Sequence, residues 1–197
     1  MQQVLAERIV PQRGVLADVS LILLGSLFVA AMAQLSIPLQ PVPVTGQTFA
    51  VLLVGMVLGS RRGALALGAY LVEGVAGLPV FAEAKSGLLT VLGPTGGYLI
   101  GFIAAAWVVG FLAERGFDRN LIKTLLAMVV GNVAIYLLGL TWLAFGFAVV
   151  PGSEFTGIGM ENALNYGLYQ FLLGDSLKAI LAAMLLPSAW KLIGNTK

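Results

Sequence analysis

Two ionisable side chains, Asp175 and Lys178, lie inside a long apolar segment near the C-terminus. A single charge at the centre of a bilayer costs roughly 2.5–3.5 kcal/mol on insertion scales, so two in one apolar helix need a reason. Their i, i+3 spacing places both on nearly the same helix face. Such a pair can bind a small molecule, with Lys178 holding an anionic group and Asp175 accepting hydrogen bonds from N–H donors. The alternative is a structural ion pair that neutralises itself.

A polar stripe extends this feature along the same helix face. Gln170, Gly174 and Lys178 recur at i, i+4 and i+8, and the glycine leaves room for a ligand to approach the backbone. Two further polar residues lie in apolar segments. Glu73 is predicted to reach the membrane interface from a helix end, and Asn132 to form an interhelical hydrogen bond.

A second candidate site is the segment 93–98, Gly-Pro-Thr-Gly-Gly-Tyr, which should open a helix. Gly96 and Gly97 let a ligand or a neighbouring helix come close, and Tyr98 adds an aromatic face with one hydroxyl. The alternative for the glycines is capping and close packing, since Gly97 and Gly101 form a Gly-x-x-x-Gly pair.

The residues that the chain lacks exclude several kinds of chemistry. It has no His and no Cys, which removes the commonest metal ligand and general base, disulfides and thiol nucleophiles. The glycines of 93–98 are not followed by the Lys-Ser/Thr of a phosphate-binding loop. A net charge of +2 is too small for nucleic-acid binding. We therefore expect no catalytic residue, metal, cofactor or nucleic-acid partner.

The elements that must position these residues are membrane helices. Of 197 residues, 59% are hydrophobic and 10% are charged, against roughly 25% charged in an ordinary globular domain. Because a span needs about 20 apolar residues, six spans would use roughly 120 residues and leave little for soluble domains. The short second and third runs suggest segments bent around a cavity. The chain is predicted to be an all-α, polytopic membrane protein, a six-transmembrane-helix bundle forming one domain over 1–197, with spans at about 19–36, 47–58, 63–77, 97–113, 121–149 and 164–192.

The basic residues predict an orientation in the lipid bilayer. With Lys178 set aside, nine of the other ten Lys and Arg fall on one side of a six-span topology, and only Lys85 falls on the other. The excess of Lys and Arg in cytoplasmic loops then puts both termini in the cytoplasm. No signal peptide is recognised at the N-terminus. The nine residues are Arg8, Arg13, Arg61, Arg62, Arg115, Arg119, Lys123, Lys191 and Lys197.

The first predicted span carries a stripe of small residues, Gly25, Ser26, Ala30 and Ala33. Such a stripe permits close contact between helices. The partner is either another helix of this chain or, on an outward face, another membrane protein.

Together, several segments resemble the BioY family, the biotin-binding substrate-specificity (S) subunits of energy-coupling-factor (ECF) vitamin transporters. The resemblance covers nearly the whole chain, and its most specific parts are the 93–98 motif and the Asp-x-x-Lys pair. The matching segments are 37–48, 62–65, 70–82, 93–102 and 174–178. The loop 83–86, Glu-Ala-Lys-Ser, departs from the Gly-rich loop common in relatives.

The resemblance implies a six-helix bundle with an outward-facing pocket that binds biotin, which is the transported ligand. It implies a prokaryotic plasma membrane and partners in the form of a transmembrane coupling subunit (T component) and two cytoplasmic ATPases. Small residues of the first helix contact the coupling subunit in this family. Pocket positions match Asp175, Lys178, Gly97 and Tyr98, and the loop between the first two helices, with Pro41, Val42, Pro43 and Thr45, acts as a lid.

Within this resemblance, Lys178 is hypothesised to pair with the biotin carboxylate and Asp175 with the ureido N–H groups, while the ring packs on Tyr98. Three alternatives stand beside it. The first is an S subunit for another vitamin, such as thiamine or riboflavin, of which thiamine is disfavoured because it would place a cation beside Lys178. An intramembrane aspartyl protease needs a second intramembrane Asp, which the chain lacks. The third is a purely structural assembly subunit, and the Asp–Lys pair argues against it because such a subunit needs no charges inside the membrane.

Overall fold

The structure is a computed structural model that describes residues 2–10, 14–146 and 155–194. These residues form a bundle of helices with two very short strands, β1 (Ser36–Ile37) and β2 (Val44–Thr45), which pair antiparallel. Short 3-10 turns lie at Ala82–Ala84 and Phe117–Arg119, and a π-helical turn, Asn165–Tyr169, joins α8 to α9. The helices are α1 (Leu5–Ile9), α2 (Val15–Gln34), α3 (Gln47–Leu58), α4 (Ser60–Val75), α5 (Leu88–Leu92), α6 (Gly96–Ala113), α7 (Leu121–Phe145), α8 (Met160–Leu164) and α9 (Gln170–Gly194).

Four helical segments are long and apolar enough to cross a membrane: Val15–Gln34, Gly96–Ala113, Leu121–Phe145 and Met160–Ile193. Helices α3 and α4 contain 12 and 16 residues, and at about 1.5 Å per residue they extend roughly 18 and 24 Å. Both are shorter than the hydrocarbon core of about 30 Å. They form a hairpin through Gly59, whose φ of 85° lies in the left-handed region that favours glycine.

The helix bounds predicted from the sequence agree with α3 and α6 and differ by a few residues elsewhere. The first predicted span corresponds to α2, which begins at Val15, and the third corresponds to α4, which begins at Ser60 because the α3–α4 turn takes only one residue. The last helical segment begins at Met160 and continues through the π-helical turn. The end of the predicted fifth span, 147–149, lies outside the described residues, as do Arg13 and Lys197.

Small residues let α6 lie at the centre of the bundle, where it packs against α7, α3 and α4. Ala105 and Ala106 are fully buried. A Cβ on Gly55 of α3 would lie 2.6 Å from the Ala106 carbonyl oxygen, so the two backbones approach closely there. This close packing fixes the helices that carry the site residues.

The small residues of α2 also face the interior of the chain. A Cβ on Gly25 would lie 3.0 Å from the Ala66 side chain of α4, and the fully buried Ser26 hydroxyl donates to Glu73 Oε1 at 2.9 Å. The prediction that this stripe contacts a coupling subunit is therefore not supported, because α3 and α4 already cover these side chains. The stripe, all of it buried, is Gly25, Ser26, Ala30 and Ala33.

Two polar predictions inside the membrane helices also change. Glu73 turns inward to Ser26 instead of reaching the interface, and its Oε2 is buried with no hydrogen-bond partner among the described residues. Asn132 Oδ1 is likewise buried and unpartnered within the described ranges. The interhelical hydrogen bond predicted for Asn132 is therefore not made by this oxygen.

Polar contacts fix the C-terminal end of α9. Asp118 is fully buried in the turn before α7, and Trp190 Nε1 donates to its Oδ2 at 2.5 Å. Burial raises the pKa of the Asp118 carboxyl above its usual range. The Arg119 guanidinium lies 4.2 Å from the centroid of the Trp190 ring. The helix that carries Asp175 and Lys178 is thus anchored at its far end.

Candidate functional site

A cavity lies between the β1–β2 loop, the connection from α4 to α6, and helices α3, α6, α7 and α9. It encloses about 690 Å³ of empty space, part of it open to solvent. Aromatic and aliphatic side chains line most of its wall, including Phe81, Phe102, Ile135 and Phe171. Apolar walls with a few placed polar groups are typical of sites for small organic molecules.

Asp175 accepts three hydrogen bonds in a polar network beside this cavity. Lys178 Nζ and Thr48 Oγ1 each donate to Asp175 Oδ1 at 2.9 Å, and Tyr136 Oη donates to Oδ2 at 2.5 Å. The Asp175 side chain is only 5% exposed, so these donors replace the water that it loses on burial. The predicted proximity of Asp175 and Lys178 on one helix face is confirmed.

Lys178 lines the cavity and has all three ammonium protons directed at protein acceptors. Its Nζ donates to Asp175 Oδ1 at 2.9 Å, to Thr48 Oγ1 at 2.9 Å and to the Thr45 carbonyl at 2.8 Å. The Thr48 hydroxyl therefore accepts from the ammonium and donates to the carboxylate. The formal charges of Asp175 and Lys178 cancel, and every hydrogen bond named here joins two groups of the protein.

A second set of hydrogen bonds supports the cavity wall at the start of α3. The Thr45 hydroxyl donates to Gln47 Oε1 at 2.9 Å, and Gln47 Nε2 donates to Tyr70 Oη at 2.7 Å. Tyr70 in turn donates to the Val80 carbonyl at 3.1 Å. These bonds connect the β2 residue that accepts from Lys178 to α4 and to the segment that follows it.

Tyr98 lies where the sequence predicts, in the cavity wall. Its hydroxyl donates to the Gly167 carbonyl of the π-helical turn at 2.9 Å, so its single proton is already used. Its ring meets that of Tyr136 edge to face, with centroids 6.5 Å apart. Tyr98 therefore offers a ligand its aromatic face rather than a hydrogen-bond donor.

Gly96 and Gly97 do not face the cavity. A Cβ on Gly96 would lie 1.8 Å from the Val91 carbonyl oxygen, and one on Gly97 would lie 2.2 Å from Trp142 Cβ. Neither glycine is among the residues that line the cavity, so the structure does not support the interpretation of these glycines as ligand contacts. They are needed where α6 packs against α5 and α7.

Gln170 and the proposed lid loop are in contact. Gln170 Nε2 donates to the Val42 carbonyl at 3.4 Å and also bonds to the Tyr166 carbonyl. It ties α9 to the loop and does not line the cavity. Of the four predicted lid residues, Val42, Pro43 and Thr45 line the cavity, whereas Pro41 lies outside the lining.

Sequence reasoning missed Thr48 and Tyr136, the two hydroxyl donors to Asp175. They come from α3 and α7, 127 and 39 positions from Asp175. Spacing along one helix cannot reveal such contacts. The available signal was a hydroxyl group inside an apolar run, which needs a partner when buried.

The fold defines a class of protein, a helical membrane protein, and its cavity lies beside the buried Asp175 and its partner Lys178. Within the described ranges, no group of three or more His, Cys, Asp or Glu could hold a metal ion. The chain belongs to the BioY family, whose sequence profile matches residues 3–195.

Named relatives agree with this membership. The chain is 36% identical over 179 residues to the probable biotin transporter BioY of Pyrococcus horikoshii, covering 91% of this chain and 98% of the relative. It is 40% identical over 153 residues to the biotin transporter BioY of Thermotoga maritima, covering 78% and 83%. Both relatives are named as transporters, which sets the enzyme alternative aside.

A solved structure has the same fold. The S-component for biotin from an ECF-type ABC transporter superposes with a TM-score of 0.74 and 26% sequence identity, over 89% of this chain and 92% of that chain. The similarity spans nearly the whole of both chains. The described helices therefore have the arrangement of a transporter S-component.

Proposed function

We propose that this chain binds biotin in the cavity beside Asp175 and Lys178, and that it acts in biotin uptake as the S subunit of an ECF-type transporter. The observation that carries the proposal is the hydrogen bond between the buried Asp175 carboxylate and the Lys178 ammonium, which lines a mostly apolar cavity. Family membership supports the choice of biotin, because relatives are named biotin transporters.

The chemistry of biotin suits this cavity. Its ureido ring carries N–H donors, which complement the Asp175 carboxylate, whose two oxygens can accept more than the three hydrogen bonds they already receive. Its fused rings have apolar faces that can pack on Tyr98 and Phe171. Thiamine, a cation, would meet the ammonium groups of Lys85 and Lys178, whereas no Asp or Glu is among the described residues that line the cavity.

The lid is proposed to be the β1–β2 loop. Val42, Pro43 and Thr45 line the cavity, and the loop is held to α9 through Lys178 and Gln170. A ligand that changes the hydrogen bonds of Lys178 would therefore change the contact between Lys178 and the Thr45 carbonyl, which ties this loop to α9.

The topology is proposed to be one domain over 1–197 with six membrane-spanning segments and both termini in the cytoplasm. The distribution of charge supports this orientation. Arg61 and Arg62 follow the α3–α4 turn, and Arg115 and Arg119 lie between α6 and α7, whereas Lys85 lies at the cavity. The cavity would then open to the outside of a prokaryotic plasma membrane.

The partners are proposed to be a T component and two cytoplasmic ATPases. The support is the structural similarity to an S-component from an ECF-type ABC transporter. The chain itself has no Lys-Ser/Thr after its glycine motif, so energy from a nucleotide would have to be supplied by another subunit. Biotin would be released unchanged and is a ligand, not a cofactor.

Uptake of radiolabelled biotin tests the function. A biotin-auxotrophic bacterium without its own transporter should accumulate biotin when it expresses this chain together with an energising module. Asp175→Asn should reduce accumulation at least tenfold, because the site loses its anionic acceptor. Glu161→Gln, in the exposed first turn of α8, is the matched control and should transport normally. Equal uptake by cells with and without the chain would contradict the proposal.

A further inference from the structure

A second cation, Lys85, lines the same cavity as Lys178. It lies in the connection between α4 and α5, and its side chain is 53% exposed, against 20% for Lys178. The cavity therefore has one ammonium inside the polar network and another at its solvent-facing side. The described residues pair Lys85 with Glu83 at 2.5 Å.

The backbone around Lys85 is held in an uncommon conformation. Glu83 and Ala84 have φ values of 60° and 55°, in the left-handed region that non-glycine residues rarely adopt. Gln34 at the end of α2 compensates. Its Oε1 accepts from the Ala84 N–H at 3.0 Å, and its Nε2 donates to the Phe81 carbonyl at 3.1 Å. The fold thus holds a strained loop in the position that brings Lys85 to the cavity.

The two ammonium groups differ in how readily they can bind an anion. Lys178 has no unused proton, since Asp175, Thr48 and Thr45 accept all three. A ligand carboxylate would also meet the Asp175 carboxylate there. Lys85 needs only to exchange one carboxylate for another, because its one ion pair among the described residues, with Glu83, is partly exposed to solvent and is therefore weak.

We propose that Lys85 binds the carboxylate of the ligand at the solvent-facing side of the cavity, while the neutral polar end donates its N–H groups to oxygens of the Asp175–Lys178–Thr48 network, which needs no free ammonium proton. The proposal rests on the function proposed above for the identity of the ligand. It reverses the sequence-based hypothesis that gave the carboxylate to Lys178. Lys85 is then the residue that selects the free acid over its uncharged derivatives.

The test compares biotin with biotin amide, which has no negative charge, by calorimetric titration of the purified chain in detergent. A hydrogen bond to a charged group contributes about 1.5–3 kcal/mol, so Lys85→Met should weaken biotin binding about tenfold or more. Binding of the amide should stay unchanged. Lys85→Arg should restore the preference for the acid. Lys191→Met, on the exposed far end of α9, is the control and should bind both ligands normally.

Each outcome of these titrations shows whether Lys85 binds the ligand carboxylate. If Lys85→Met keeps the native preference for biotin over the amide, Lys85 does not bind the carboxylate. If Lys178→Met removes that preference while Lys85→Met does not, the ligand lies in the opposite orientation. A wild-type chain that binds neither ligand would contradict the proposed function itself. A wild-type chain that binds biotin, with Lys85→Met unaltered, would overturn only the assignment to Lys85.

Discussion

Replacing Lys178 with Met is expected to weaken biotin binding more than a hundredfold and to destabilise the bundle. The substitution leaves the Asp175 carboxylate, 5% exposed, without its cation. Removing one partner of a buried ion pair costs about 3–5 kcal/mol. It also removes the donor that holds the Thr45 carbonyl of the lid loop. Thermal unfolding in detergent and calorimetric titration with biotin measure the two effects separately.

A double variant separates binding from structure. Asp175→Asn together with Lys178→Met removes both charges, so thermal stability should return close to that of the wild type while biotin binding stays lost. If the pair were only structural, the double variant would bind biotin as the wild type does. Lys191→Met again serves as the control for loss of a positive charge from α9.

Gly97→Ala should cause the second large loss of stability, because it overpacks the contact between α6 and α7. The new methyl group would lie 2.2 Å from Trp142 Cβ and 2.6 Å from the Leu138 carbonyl oxygen. Neither atom can move unless α7 moves away from α6, and overpacking of this kind typically costs about 1–3 kcal/mol, occasionally more. We expect a clearly lower unfolding temperature, together with weaker biotin binding because Tyr98 and Tyr136 lie on the displaced helices.

Gly68→Ala is the matched control, since a Cβ at Gly68 of α4 meets nothing within 4 Å. Alanine is the better helix former by about 1 kcal/mol, so this variant should unfold at or above the native temperature. If Gly97 instead faced the ligand, Gly97→Ala would lose binding without losing stability. That pattern would contradict the packing role described here.

Much of the fold could be predicted because its signals are local. Prolines at 38–43 and the proline at 94 interrupt the apolar runs, which is why the bounds of α3 and α6 agree with prediction. The Asp175–Lys178 contact was also predictable, since i, i+3 spacing fixes neighbours on one helix.

The remainder of the site depends on which helices are neighbours. Thr48 and Tyr136 contact Asp175 only after α3 and α7 have packed beside α9. The direction that Gly97 faces, toward Trp142 rather than the cavity, is likewise set by the α6–α7 contact. Glu73 could be placed on a helix but not matched to Ser26. Small and polar residues have the same pattern whether they meet a ligand, a lipid or another helix, so sequence alone left each of these alternatives open.

The most direct test is thermal unfolding of the purified chain in detergent with biotin, thiamine or riboflavin. A ligand that binds only the folded state stabilises it in proportion to the logarithm of its excess, by about 2.7 kcal/mol at a hundredfold excess over Kd. We expect biotin to raise the unfolding temperature progressively and thiamine and riboflavin to leave it unchanged. An unfolding temperature that does not respond to biotin, or that rises equally with thiamine, would contradict this expectation.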